Sequence, residues 1–330
     1  MNIFTLMITQ SEQHIVNELD NSLLFKKHQV PVMLLVKPRV DTLLLQAFSD
    51  WLLILVFYSV FVFCPFWSYP VFALLIGSRY HSLGVILHDV THMPLRIKTH
   101  KYRLLEVMTG YPIGSTINAM RYHHLRHHKD SGMVTDPYFK KGVKEKKYLK
   151  HLFIIKAVVL ALFWTFRGIY GTLAFYLPTM RTSYAKVFLQ DKSNKEFRDN
   201  AEVIQCAAED RWQLLFHLCV YSMLWWAPSV FLYMYLFPVM ISGIFAGYRL
   251  MNEHNYEPTT DRKIETIIST TNDHHLKGIL KFFLAPKNIG YHIVHHLHPQ
   301  VAWYKLPELR DWYLQNHHDL YTANLEKKHD

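Results

Sequence analysis

"VFALLIGSRYHSLGVILHDVTH", residues 71–92, starts as an apolar run and ends in two histidines four positions apart. A helix that crosses a bilayer needs about 20 mostly apolar residues, with about 17 tolerated, and this stretch supplies one. The surrounding sequence extends the pattern, because residues 51–78 contain no Asp, Glu, Lys or Arg, and neither do residues 212–248. Each block is long enough for a membrane hairpin. In the first, "DTLLLQAFSDWLLILVFYSVFVFCPFW" (41–67) provides the outgoing span, with Asp50 near its inner end, and Pro65 and Pro70 mark the turn. The second divides at Pro228 into "WQLLFHLCVYSMLWWA" (212–227) and "VFLYMYLFPVMISGIFAGY" (230–248).

The composition agrees with a membrane protein. Half of the 330 residues are hydrophobic and 15% are aromatic, the net charge is +10, and Lys and Arg are concentrated in residues 93–151. Basic segments flanking apolar spans are expected on the cytoplasmic side, facing anionic headgroups. Both turns lack charge, so both hairpins return the chain to the cytoplasm. No nucleic-acid motif accompanies the basic charge, which sets that class of partner aside. Cys64, Cys206 and Cys219 have neither CxxC spacing nor an even-numbered framework, and they imply no disulfide scaffold or zinc ribbon. The N-terminus reads as lacking a cleaved signal, so the first span is expected to direct insertion.

A third apolar stretch, "LFIIKAVVLALFWTFRGIYGTLAFYL" (152–177), places Lys156 and Arg167 eleven residues apart, on one stripe of a helix. We read it as an amphipathic helix lying in the interface, the alternative being a fifth span. The expected architecture is an all-α integral membrane protein with about four transmembrane helices in two hairpins, an interfacial helix and a cytoplasmic helical cap. It divides into an N-terminal cytoplasmic segment (1–41), a membrane domain (42–310) and a C-terminal tail (311–330).

Three histidine clusters stand out: "HDVTH" (88–92), "HLRHH" (124–128) and "HIVHH" (292–296). On a helix, positions i, i+3 and i+4 share a face, so each cluster aims its imidazoles one way. With 22 histidines in the chain, about 0.1 chance occurrences of HxxHH are expected, and accident does not account for two plus an HxxxH. Cluster one ends the second span, cluster two follows with no span between, and cluster three comes after the second hairpin. If residues 152–177 do not cross, all three lie at one face.

The donor set narrows the metal. A zinc protease helix carries HExxH, whereas this chain has Asp89 at the acidic position, and eight imidazoles are too many for one zinc. The ExxH repeats of soluble di-iron proteins are absent. Many neutral nitrogen donors suit redox-active iron, and eight or nine are enough for two ions. Asp89 is positioned to orient a ligating imidazole through its other N–H.

The three boxes, their order and the run "LAPKNIGYHIVHHLHPQVAWYKLPEL" (284–309) resemble the membrane fatty acid desaturase superfamily, over roughly residues 45–310. The resemblance implies a helical membrane enzyme with a cytoplasmic di-iron centre, two irons as cofactors, O2 as co-substrate and a fatty acyl substrate linked to lipid, CoA or a carrier protein. Carried over position by position, the ligands are His88, His92, His124, His127, His128, His292, His295 and His296. The family's further ligand before the third box falls on His254 in "RLMNEH" (249–254), with Glu253 beside it as a carboxylate that supports a ligand. No catalytic residue beyond the metal centre is implied.

The boxes alone do not separate a desaturase from a hydroxylase or ketolase. A metal transporter is the rival from another class, but transporters bring their polar ligands to the membrane midplane. No HPGG haem loop and no GxGxxG run appears, so electrons are expected from a separate ferredoxin, rubredoxin or cytochrome b5. The basic run 140–151 offers a docking surface for one, or for lipid headgroups. His123 is expected to face solvent. His81 and His298 read as structural, and Gly77 and Gly84 serve either an acyl chain or close helix packing.

Overall fold

The computed structural model describes residues 29–93 and 99–326, with side chains through residue 322. Most of the expected N-terminal segment therefore lies outside the described residues. Among those described there are helices and no strand, apart from one isolated bridge between His254 and Thr271.

Among the described residues four helices are long and apolar enough to cross a membrane: Val40–Val62, Phe66–Thr91, Tyr148–Thr165 and Pro228–Glu253. The number matches the sequence reading, but the set differs. The long helix that contains the expected span 212–227, Ala201–Trp226, carries Glu202, Glu209, Asp210 and Arg211 in its first half and falls short on apolarity. Tyr148–Thr165 takes its place.

The first hairpin consists of α1 (Val40–Val62) and α2 (Tyr69–Thr91). The two are antiparallel: Phe61 meets Tyr69 and Phe72 at one end, and Asp50 meets Arg79 and Ser82 farther down. Leu45, Phe48, Leu52 and Leu55 of α1 are exposed, an apolar surface suited to lipid. At the hairpin tip Phe63, Phe66 and Trp67 are also exposed, as are Trp225 and Trp226 at the tip of the second, where aromatic side chains suit a headgroup layer.

Between the hairpins the chain rises and falls as α3 (His100–Thr109), α4 (Ile117–Asp130), α5 (Tyr148–Thr165), α6 (Arg167–Tyr176) and α7 (Arg181–Phe188). The stretch expected as one interfacial helix is thus two helices, α5 and α6, broken at Phe166. The predicted stripe fails because Arg167 is 1% exposed, with Nε 3.2 Å from both oxygens of Asp210, while Lys156 is on the surface. An ion pair to the neighbouring helix outweighed the regular continuation of α5.

The second hairpin joins α8 (Ala201–Trp226) to a helical turn, a π-helical turn (Phe231–Leu236) and α9 (Phe237–Glu253). Pro238 has no amide to give the Met234 carbonyl, and the Tyr80 hydroxyl of α2 donates to that carbonyl at 3.2 Å. A Cβ on Gly77 would stand 2.8 Å from Ile241 Cγ2 and 2.9 Å from the Pro238 carbonyl, so that glycine serves the packing of α2 on α9. Gly243 and Gly247 do the same for α5, with a Cβ at either position running into Ala157.

The remaining helices are α10 (Ile264–Thr270), α11 (Gly278–Leu284), α12 (His292–Leu297), α13 (Leu306–Asn316) and α14 (His318–Glu326). The domain boundary expected at residue 310 falls inside α13. Tyr313 and Tyr321 are buried in one apolar cluster with Ile293, Val294 and Leu297 of α12, so this end of the chain packs on the third histidine box.

Candidate metal centre

Local chemistry brings the boxes together. Thr116 starts α4, its side chain accepting from the Ala119 amide at 3.2 Å, and Glu106 Oε1 accepts from the Ile117 amide at 2.7 Å. One turn on, Arg121 Nη1 donates to the Thr91 and Met93 carbonyls at 2.6 and 2.8 Å, which caps the end of α2 beside His92. That contact fixes box one against box two. Box three is held by Asp273, whose Oδ1 accepts from the Ile293 amide at 2.7 Å while Oδ2 accepts from the Tyr321 hydroxyl at 2.6 Å. His254 leaves α9 in an extended conformation, steadied by the Asn272 amide donating to the Glu253 carbonyl at 2.8 Å.

All nine candidate histidines converge, and each is at most 7% exposed. They form two groups, His88, His92, His124, His128 and His295 in one, and His127, His254, His292 and His296 in the other, with donor atoms within 4.8 Å of one another inside each group. In the first group Nε2 of His124 lies 2.9 Å from that of His92 and 3.0 Å from that of His128, which is 3.1 Å from that of His295. In the second, Nε2 of His254 lies 3.1 Å from that of His127 and 3.2 Å from that of His292, and His292 and His296 are 3.1 Å apart. Around one ion with metal–donor distances of about 2.1 Å, donors about 90–120° apart stand about 3.0–3.6 Å from each other. The nitrogens are spaced as a metal would hold them.

Their protonation fits as well. Burial, reinforced by Arg249 and His127, pushes His295 down to about 3. Burial likewise holds His124, His128, His254, His292 and His296 well below the usual imidazole range, so they are neutral donors at pH 7.

The outward nitrogens are less uniform. His127 Nδ1 lies 2.9 Å from Asp136 Oδ1, whereas His88 Nδ1 is 3.3 Å from Asp89 Oδ1. The Nδ1 atoms of His124, His128, His292 and His296 have no hydrogen-bond partner among the described residues. Asp136 was not singled out in the sequence. Its only sequence cue is a short turn-rich loop after box two, where it accepts from the Gly132 and Tyr138 amides at 2.9 and 2.8 Å. Burial raises its carboxyl, but His127 and those amides outweigh burial and hold it below the usual range.

His123, expected at the surface, is buried, its Nδ1 2.8 Å from the Tyr138 hydroxyl, and the Tyr138 ring stacks on His127 at 4.5 Å. His81 pairs with the Phe283 carbonyl at 3.2 Å and His298 with the Tyr313 hydroxyl at 2.7 Å. Both fill structural roles. Glu253 Oε2 lies 3.6 Å from His292 Nε2.

An all-helical protein with four helices of membrane-spanning length and a buried polyhistidine centre is a membrane metalloprotein. A family model places it more closely: the fatty acid desaturase model matches residues 65–324. The chain belongs to that family, which makes it an oxidoreductase of desaturase type. No curated protein matches it significantly.

Proposed function

We propose that the protein introduces a double bond into a fatty acyl chain in an O2-dependent reaction at two irons held by the nine histidines. The observation that carries this reading is the division of those histidines into groups of five and four, each with the donor spacing of one ion. When bound, iron would supply the O2 chemistry that removes hydrogen from an unactivated methylene, which no side chain can do. In balance, one acyl CH2–CH2 unit, O2, two electrons and two protons give CH=CH and two waters.

The chain's own residues then have three tasks. The imidazoles that burial holds neutral at pH 7 offer lone pairs to iron without first losing protons. Asp136 fixes the His127 ring by accepting its Nδ1 proton at 2.9 Å. The enclosure of all nine rings excludes bulk water from the reacting methylene.

Electrons come from a separate carrier such as ferredoxin, rubredoxin or cytochrome b5. A pocket lined by His127, Asp136, Tyr138, Phe139 and His254 reaches the four-histidine group, and the exposed Lys141, Lys146 and Lys147 follow Phe139 in the chain. An acidic carrier docked there would stand beside a ligand ring. We place this face, and both termini, in the cytoplasm by the distribution of basic residues.

The test is made on purified protein loaded with iron and given a reducing system: iron per chain, O2 uptake and mass spectra of acyl lipids before and after turnover. Two irons per chain and a product two mass units lighter are expected. A product sixteen units heavier would move the protein to the hydroxylases. Iron without O2 uptake would favour metal binding or transport.

A further inference from the structure

The two histidine groups are unequal, five donors against four, and the smaller one has a buried carboxylate at its edge. Glu253 is 2% exposed, and its Oε2 lies 3.6 Å from His292 Nε2. That nitrogen is the inward one, 3.2 Å from His254 Nε2 and 3.1 Å from His296 Nε2. Asp89 and Asp136 behave differently, since each approaches the outward Nδ1 of its histidine. Glu253 thus approaches the inward nitrogen of His292 and not an outward one, at the edge of the four-histidine group and outside the set of donor atoms mutually within 4.8 Å, so a turn of its side chain would carry the oxygen in.

The rest of its surroundings leave the carboxylate under-used. Oε1 lies 3.1 Å from Arg249 Nε, near enough for an ion pair, yet neither atom has an aligned hydrogen bond. A carboxylate held this deep costs free energy unless its charge is met. An imidazole donor brings no negative charge to offset that of two divalent ions in the same interior, so an anionic oxygen at the four-nitrogen group would lower the electrostatic cost of both. The separation of 3.6 Å also falls within the spacing of about 3.0–3.6 Å expected for neighbouring donors on one ion.

We propose that Glu253 is the fifth ligand of the His127, His254, His292 and His296 group, binding through Oε2. The two ions then differ in kind, one with five nitrogens and the other with four nitrogens and an oxygen. This rests on the iron-binding reading above.

The experiment uses the full-length protein in detergent, loaded with 57Fe and never turned over. Iron per chain, the rate of iron release to a chelator and the Mössbauer spectrum are compared for wild type, Glu253→Gln and Arg249→Gln. Wild type should hold two irons and give two distinct quadrupole doublets. In Glu253→Gln one doublet should shift, and one iron of the two should leave about tenfold faster or more, the size of effect known for weaker supporting contacts. Arg249→Gln removes the cation but keeps the oxygen, and it should retain both irons and both doublets.

If Glu253→Gln matches wild type, or if both variants lose the same iron, the carboxylate serves only the ion pair and the proposal fails. Where Glu253→Gln does not accumulate in folded form, Arg249→Gln decides: retention of both irons upholds the proposal, and a matching collapse overturns it. Wild type without iron would instead overturn the metal reading itself.

Discussion

Asp136 connects one side chain to the behaviour of the whole metal group. It receives the Gly132 and Tyr138 amides and presents its remaining acceptor capacity to His127 Nδ1 at 2.9 Å, so it sets both the tautomer and the tilt of that ring. Replacing it with alanine frees the ring to rotate and leaves its outward N–H without an acceptor. Asp136→Ala is expected to weaken iron retention by about 10–100-fold, measured by competition with a chelator. Asp89→Ala should matter less, since its contact to His88 is 3.3 Å. Equal losses in the two variants would show that hydrogen-bond length is not what ranks these supports. The ligand candidates were legible in sequence because their spacing is local: i, i+3 and i+4 on one helix put three rings on one face. Asp136 and Asp273 were not, because each acts through a loop whose geometry arises only after distant segments have met.

At the level of the element, the buried charges of the helices explain most of what the hydropathy pattern missed. The apolar runs gave α1, α2 and α9 directly, since a run of that length must hide its backbone in a helix and its side chains from water. The break at Phe166 had a weaker cue, because no proline marks it and Gly168 two residues on is not by itself a stop, and it accompanies the pairing of Arg167 with Asp210. Asp50 is a second case of the same physics. It is 1% exposed within α1, 3.1 Å from Arg79 Nη1 and 2.7 Å from the Ser82 hydroxyl on α2, and 3.4 Å from Lys287 Nζ beyond α11. One carboxylate therefore ties the first hairpin to the segment that leads into the third histidine box. Asp50→Ala leaves the buried Arg79 and the partly buried Lys287 without their shared anion, and the expected loss is about 3–5 kcal/mol of stability, read as a lowered thermal midpoint of the detergent-solubilised protein. Asp50→Leu combined with Arg79→Met should recover much of it, because apolar replacement of a buried pair is often neutral. A double variant as unstable as Asp50→Ala would place the cost in packing and not in charge.

For the whole molecule, the directions of the helices decide on which side of the membrane the boxes meet. Residues 154–161 of α5 pack along Gly247 and Gly243 of α9 in reverse order, so those helices are antiparallel. Gly168 and Gly171 of α6 meet Leu214 and then Asp210 of α8, which is antiparallel again. The approach to α9 also runs against α8, with Tyr221 meeting Phe231 and His217 meeting Tyr235. It follows that α5 and α6 run in opposite directions, and the chain returns to the side from which α5 left. That doubling back lets box three reach boxes one and two without an odd crossing between them. Side-specific labelling tests it. In a background with Cys64, Cys206 and Cys219 replaced by serine, single cysteines are placed at Trp67, Lys146, Leu177 and Trp226, all exposed, and sealed vesicles of known orientation are treated with an impermeant maleimide. Residues 146 and 177 should label from the same face, and residues 67 and 226 only from the other. Labelling of 146 and 177 from opposite faces would make α5 a complete crossing, reverse the second hairpin and put box three across the bilayer from its partners.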